Sequence, residues 1–159
     1  MTGVQIIYGM LGALAIALAH ASYTDIRRRE IENWLNAGIA LAAPIFWWAT
    51  GMSLWPDIAM QIGLALGVFA IFTALFAIGA MGGGDVKLLS ALALWFSWQD
   101  MLMLVLIMSI AGGILTVFMA MIHKIRRSKA KLEIPYGVAI AFAGLWVIAE
   151  HYFNHSVQM

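Results

Sequence analysis

Uncharged stretches divide the sequence into six blocks. Positions without Asp, Glu, Lys or Arg run through 1–24, 33–56, 58–84, 88–99, 101–122 and 134–149. Because a helix needs about 20 mostly apolar residues to cross a bilayer, the first, second, third and fifth blocks predict spanning helices directly. The sixth block reaches this length if its helix continues past Glu150, and the fourth spans only if it begins within the membrane near Gly82. The pattern predicts an all-α, polytopic membrane protein with about six transmembrane helices.

The basic residues support this arrangement. Six crossings place the segments 25–33, 81–87 and 123–133 on one side of the membrane, and these segments contain all nine Lys and Arg residues. Basic loops remain on the cytoplasmic side, so both termini are predicted on the opposite side. If the fourth block did not cross, the basic residues of 123–133 would lie on the other side from those of 25–33.

Composition agrees with a membrane protein. Of the 159 residues, 64% are hydrophobic and 11% are charged, whereas soluble domains carry about 25% charged residues. This length favours a single integral-membrane domain over 1–159, with the lipid bilayer as a partner and no nucleic acid. The absence of cysteine excludes thiolate zinc sites, iron–sulfur clusters and cysteine nucleophiles.

Two of the eight acidic residues call for an explanation beyond a solvated charge. Asp25 follows the first uncharged block, and Asp85 directly follows three glycines. In the six-helix topology both lie at cytoplasmic helix ends at a similar depth. Carboxyl groups near the membrane are costly to bury, so those that occur there usually have a function. The two side chains can meet if the first and fourth helices are neighbours.

The glycines at 82–84 indicate a special backbone beside Asp85. Glycine permits positive φ angles and lets another chain approach without a Cβ in the way. Irregular backbone at membrane depth persists only inside protein or beside a water-filled cavity. The segment therefore predicts a wet pocket with room for an extended peptide; a simple turn between helices is the alternative.

Two carboxyl groups in such a pocket favour aspartic proteolysis. Close carboxyls share one proton, so one can activate a water while the other polarises a carbonyl. This chemistry requires no metal, cofactor or covalent intermediate. The sequence shows no zinc-binding His spacing and no phosphate-binding loop, and no Ser/His/Asp set is expected at one depth.

Three segments resemble the type IV prepilin peptidases, a family of intramembrane aspartic proteases. The first match runs Gly82-Gly83-Gly84-Asp85-Val86-Lys87-Leu88 and resembles the family signature Gly-x-Gly-Asp-x-Lys-Leu. Asp25, followed by a basic segment and Ile31-Glu32-Asn33, resembles the family's first motif. The third match, Pro135-Tyr136-Gly137, resembles its late Pro-Tyr/Phe-Gly motif. The three matches occur in family order.

The resemblance implies an endopeptidase that removes the basic leader of a prepilin at the cytoplasmic boundary of the bacterial inner membrane. Asp25 and Asp85 would share the acid and base roles. The glycines at 82–84 would shape a substrate-facing loop, and the segment 135–137 would support it. Lys87 would either extend to the membrane interface or tune the dyad. The implied partner is a prepilin with a basic leader and an apolar helix.

The sequence departs from the family pattern in two ways. Glu32 stands where the family usually has proline. Long members also carry a cytoplasmic insertion with paired cysteines, associated with N-methylation of the cleaved pilin, and this sequence has neither. It therefore resembles the short form that serves Flp/Tad-type pili, without an evident N-methyltransferase.

Three glutamates suggest a further role. Glu30, Glu32 and Glu133 lie on the predicted cytoplasmic face and could dock a basic leader; pairing with basic residues of the protein itself is the alternative. Two other functions remain open at this point, a small proton- or ion-coupled transporter and a non-catalytic subunit of a pilus or secretion assembly. The oligomeric state is left open.

Overall fold

The computed structural model describes residues 3–125 and 134–157, with the side chains of 152–157 left out. The described residues form six helices and no strand, which confirms the all-α prediction. The helices are α1 (Gly3–Arg28), α2 (Asn33–Thr50), α3 (Ala59–Ala77), α4 (Gly83–Leu92), α5 (Trp98–Ile125) and α6 (Tyr136–Val157). A short π-helical turn, Leu54–Ile58, leads directly into α3.

Three of the six helical segments are long and apolar enough to span a bilayer by themselves. Among the described residues these are Gly3–Arg28, Leu54–Ala77 and Trp98–Ile125. α2 has 18 residues but begins with polar side chains. α6 continues past Glu150, as predicted. The predicted number of helices is therefore confirmed, while α4, with ten residues and a length of about 15 Å, is too short to span alone.

α4 and the residues just after it nevertheless run along most of α2. Its first turn lies beside the start of α2, where the Asn36 side-chain amide donates to the carbonyl of Gly84 at 3.3 Å. Beyond its last turn, the carbonyl of Leu94 accepts a 2.7 Å hydrogen bond from the indole of Trp47 near the end of α2. Only about 16 Å of α2 separates Asn36 from Trp47, so a ten-residue helix is enough to cover this distance.

The chain that follows α4 is irregular, and side chains satisfy its backbone. The Gln61 amide donates to the carbonyls of Ala93 and Phe96 at 2.9 and 2.7 Å. Because unpaired carbonyls are costly at membrane depth, these donors from Gln61, with that from Trp47, allow α4 to end inside the bundle. The Trp95 indole ties the same segment to α2 by donating to the carbonyl of Ile39 at 2.9 Å.

Four helices form a closed ring and two pack on its outside. α1 contacts α2, α2 contacts α4, α4 contacts α6 and α6 contacts α1; α3 packs on α4, and α5 packs on α6. The buried apolar residues form one continuous core. A Cβ at Gly144 in α6 would lie 2.8 Å from Leu18 of α1 and 3.8 Å from Leu92 of α4, so this glycine lets both helices approach α6.

The first and fourth helices are therefore not neighbours, which was the condition under which the two aspartates were expected to meet. α1 and α4 lie across the ring, with α2 on one side and α6 on the other, and direct contact between them is minimal. Helix ends rather than a shared helix interface bring their acidic residues together.

Candidate active site

Asp25 lies in the last turn of α1 and is buried, with 6% of its surface exposed. The helix ends just after it, since Arg29 adopts a left-handed conformation with φ of 57°. The backbone amide of Arg29 donates to the Asp25 carbonyl at 3.0 Å, which completes the final turn. This ending also places the Arg29 charge near the Asp25 carboxyl group.

Asp85 is the third residue of α4 and is also buried, with 8% of its surface exposed. Its side chain folds back over Gly82, the residue that precedes the helix: a Cβ at Gly82 would lie 3.0 Å from Asp85 Oδ2. An acidic residue at this helix position characteristically returns to the backbone of the capping residue. Gly82 therefore leaves the space that the Asp85 carboxyl occupies.

The other two glycines allow close packing rather than an irregular loop. A Cβ at Gly83 would lie 3.4 Å from the ring of Phe76, and one at Gly84 would lie 3.2 Å from Cβ of Ile31. The close approach expected from these glycines is present at Gly84, whereas a Cβ at Gly83 would make only ordinary contact. The expected irregular backbone is not, because Gly83 and Gly84 form the first turn of α4. The positive φ in this region belongs to Gly79, at 75°.

The beginning of α6 closes the site above Asp25. A Cβ at Gly137 would lie 2.8 Å from Asp25 Oδ2 and 2.9 Å from Cδ1 of Ile31. The backbone amides of Gly137 and Val138 approach the same carboxyl group. A helix N-terminus stabilises negative charge, so α6 provides a favourable place for an anion here. Asp25 Oδ2 has no hydrogen-bond partner within the part of the chain that the structure describes.

The remaining residues of the third motif support this arrangement. Pro135 is buried and directly precedes α6. The Tyr136 ring lies against α5, where a Cβ at Gly112 would come within 3.0 Å of Tyr136 Cε1. Tyr136 thus lines the cavity and Gly137 lies against Asp25, while support of the substrate by the segment 135–137 stays a prediction.

Both carboxyl groups line one cavity of about 720 Å³ at the end of the bundle. They are close enough for the charge on Asp25 to act on Asp85. The cavity wall includes all three glycines of 82–84 together with Arg29, Ile31, Gly79 and Tyr136. The predicted pocket beside Asp85 is therefore present, in the gap that α1 and α4 leave between them.

Lys87 lies apart from this cavity. Its ammonium group donates to the side-chain oxygen of Asn33 at 2.8 Å, and the residue is exposed on a different face of α4 from Asp85. Its position fits the interface role more closely than direct contact with the dyad.

The three glutamates differ in their surroundings. Glu30 is exposed and lines the cavity. Glu32 also lines the cavity, but it lies 3.6 Å from the guanidinium of Arg28 and 3.3 Å from the imidazole of His20, which favours internal pairing for this residue. Glu133 lies outside the described residues.

Several residues of the site were not predicted from the sequence. Arg29, Ile31 and Gly79 line the cavity, but their contribution depends on how loops meet in three dimensions. Asn36 carried a usable signal, since a carboxamide within an apolar helix calls for a hydrogen-bond partner. That partner, the carbonyl of Gly84, is 48 residues away in the sequence.

A second polar cluster lies at the opposite end of the bundle. Asp100 Oδ2 is 2.6 Å from the Ser97 hydroxyl and 3.0 Å from the His151 imidazole, so the expectation of no Ser/His/Asp set at one depth is wrong. Both groups contact the carboxylate, and the hydroxyl is therefore not directed at the imidazole as an activated nucleophile would be. Ser97 also accepts the backbone amide of Asp100 at 3.2 Å, which caps the start of α5.

Comparison with known proteins identifies relatives of this chain. A prepilin leader peptidase/N-methyltransferase of Pseudomonas aeruginosa is 36% identical over 80 residues, which cover 50% of this chain and 26% of that protein. Proteins of the same description match from Aeromonas salmonicida, at 37% over 67 residues (42% and 22% of the two chains), and from Stutzerimonas stutzeri, at 30% over 95 residues (60% and 31%). The chain thus spans less than a third of the length of these relatives.

No solved structure matches the chain significantly. The model of the type IV leader peptidase family, however, matches residues 12–117, a range that includes both Asp25 and Asp85. Since this match covers well over half of the sequence, the chain belongs to the type IV leader peptidase family.

Proposed function

We propose that this protein is an intramembrane aspartic endopeptidase that removes the leader peptide of prepilins, with Asp25 and Asp85 as its catalytic dyad. One observation carries the proposal: two buried acidic residues, sixty residues apart in the sequence, line the same cavity. Burying one carboxyl group is costly, and placing a second beside it raises the cost further. A role as a catalytic pair explains why two buried carboxyl groups lie so close together.

The mechanism follows from a dyad that holds one proton. The ionised carboxyl takes a proton from a water molecule while the water oxygen bonds to the scissile carbonyl carbon. At the same time the protonated carboxyl gives its proton to the carbonyl oxygen. When the C–N bond of the resulting diol breaks, the leaving amine takes a proton from one carboxyl, and a diol hydroxyl returns one to the other. The dyad ends with a single proton, as it began. Because the two carboxyl groups titrate together, the proton belongs to the pair and is not assigned to either aspartate.

The surroundings of the cavity fit a substrate that crosses the membrane boundary. The cavity lies where α1 ends in basic residues, and such residues mark the cytoplasmic side. A leader arriving from the cytoplasm would enter there, while the apolar helix stays in the inner membrane. Glu30 lies on the cavity wall, where it would attract basic leader residues.

The absence of cysteine and of a long cytoplasmic insertion supports a narrower assignment. We assign the protein to the short, Flp/Tad-type peptidases, with the whole of 1–159 acting as one peptidase domain and without N-methyltransferase activity. A methylation assay on the cleaved pilin tests this directly, since incorporation of a labelled methyl group would contradict it.

The dyad is tested by cleavage of a co-expressed Flp-type prepilin in membranes. Asp25→Asn and Asp85→Asn preserve side-chain size but cannot ionise, so each is expected to lower cleavage at least about 1,000-fold while the protein still accumulates. Asp57→Asn is the matched control, because this exposed aspartate bonds only to nearby Ser53 among the described contacts.

Two results would contradict the proposal. Cleavage at the wild-type rate by either catalytic variant would exclude a shared-proton dyad. Failure of the wild-type enzyme to cleave any prepilin, with the protein correctly inserted, would favour a non-catalytic assembly subunit or a transporter.

A further inference from the structure

A second cavity lies on a different face of α4 from the carboxyl groups. It has a volume of about 550 Å³ and an almost entirely apolar lining. α4 forms its floor and α2 and α3 form its walls, because α4 contacts both helices while α2 and α3 barely touch each other. We call this space the α4 groove, defined by Asn33, Asn36, Ala37, Ala40, Ala65 and Ala91.

The shape of the α4 groove suits a helix. Four of the residues that line it are alanines, distributed over all three surrounding helices, and the larger Ile62, Leu66 and Phe69 of α3 line it as well. In a bilayer, where no hydrophobic force separates protein from lipid, small side chains favour helix association because they allow backbones to approach closely.

Asn36 provides an independent sign of a missing partner. It is 5% exposed, and its amide nitrogen donates to the carbonyl of Gly84. Its oxygen, Oδ1, accepts no hydrogen bond within the residues that the structure describes. An unsatisfied acceptor in such a place costs about 1–3 kcal/mol. Because this oxygen is enclosed, a donor from a bound molecule reaches it only when the Asn36 side chain turns toward the groove.

The α4 groove borders the candidate active site. Asn33 lines both the groove and the cavity of the carboxyl groups. Asn36 holds the residue immediately before Asp85. A polar cavity and an apolar groove therefore meet beside one of the proposed catalytic residues.

We propose that the α4 groove binds the apolar helix of the substrate, directly beyond the bond that is cut. The first turn of any helix has backbone amides without internal acceptors, and Asn36 lines the groove, where its Oδ1 would accept from that turn once the side chain turns outward. The leader would occupy the polar cavity, and the apolar helix would occupy the groove. The segment with the scissile bond would then lie extended between them, beside the two carboxyl groups. This inference rests on the proposed function, since it takes a membrane-anchored substrate as given.

Cross-linking tests the groove without requiring cleavage. Because the chain contains no cysteine, Ala40→Cys introduces a single thiol into the groove, about 6 Å along α2 from Asn36. In an Asp25→Asn background, oxidation should link it to a prepilin with one cysteine placed one to two turns beyond the cleavage site. Ala13→Cys, on the exposed face of α1, is the matched control and should not form this link.

Filling the groove provides a second test. Ala37→Phe places a large ring in it, and cleavage of the full prepilin should fall about tenfold further than cleavage of a short peptide that ends soon after the scissile bond. Ala13→Phe should leave the ratio of the two rates unchanged.

The outcomes distinguish this proposal from its alternatives. Equal cross-linking at Ala40→Cys and Ala13→Cys, or an unchanged rate ratio in Ala37→Phe, would overturn it, and phospholipid retained by the wild type but lost in Ala37→Phe would identify lipid as the occupant instead. Specific cross-linking without any cleavage by the wild type would support the groove while contradicting the proposed function.

Discussion

At the scale of single residues, the site depends on glycines, which have no side chain, as much as on the two carboxyl groups. Gly137 shows this most clearly, because a Cβ there would lie 2.8 Å from Asp25 Oδ2. Gly137→Ala should displace the carboxyl group or the start of α6, at a cost of about 1–3 kcal/mol. If that cost falls on the transition state, cleavage slows about tenfold to a hundredfold, as a rate assay at matched protein levels would detect.

The control for this prediction is Gly113→Ala in α5, where an added Cβ meets no atom within 4 Å. It should cleave at the wild-type rate. Equal activity of Gly137→Ala would mean that the contact between α6 and Asp25 has no part in catalysis.

Glu30 gives a prediction about substrate charge. Glu30→Lys should raise the KM for a basic-leader prepilin about two- to fivefold, because exposed ion pairs contribute at most about 1 kcal/mol. A prepilin whose leader lysines are replaced by glutamine should show no such increase. A KM that rises equally for both substrates would point to a structural effect instead of leader docking.

At the scale of the helices, the short α4 depends on donors from its neighbours. Gln61 donates to the carbonyls of Ala93 and Phe96 where α4 has ended. Gln61→Leu removes both hydrogen bonds and should destabilise the protein by about 1–3 kcal/mol, seen as a lower melting temperature in detergent. Gln99→Leu, at an exposed position of α5, serves as the control, and an equal melting temperature for both variants would contradict this role.

Helix bounds were largely predictable from the sequence, with α4 as the instructive exception. Charged residues marked where α1, α2, α5 and α6 begin or end, because desolvating a charge is costly. The start of α4 at Gly83 was less predictable, since an isolated run of glycines favours a loop. Packing against Phe76 and Ile31 outweighs that preference.

At the scale of the whole molecule, orientation in the membrane is the prediction to test. The positive residues predict that the end with Arg27 lies in the cytoplasm and the end with Ser53 outside. Single cysteines at these two positions suit a chain that has none of its own. In intact cells a membrane-impermeant maleimide should label Ser53→Cys, and Arg27→Cys should react only after permeabilisation. The reverse pattern would invert the topology and remove the leader from the side of the proposed active site.

The sequence by itself determined the helical class, the number of helices, the end of the bundle with the basic residues, and the two candidate aspartates. These properties follow from the composition of one helix at a time. A helix needs a long apolar segment to cross the bilayer, and charged residues within such a segment are rare because they are costly. Only the tertiary structure decided that α1 and α4 lie across a ring, that Gly137 and Ile31 connect their ends, and that a groove opens between α2 and α3. Hydropathy cannot choose among such packings because every helix is similarly apolar, and the choice is made by small side chains such as Gly84 and Gly144, which let particular backbones approach.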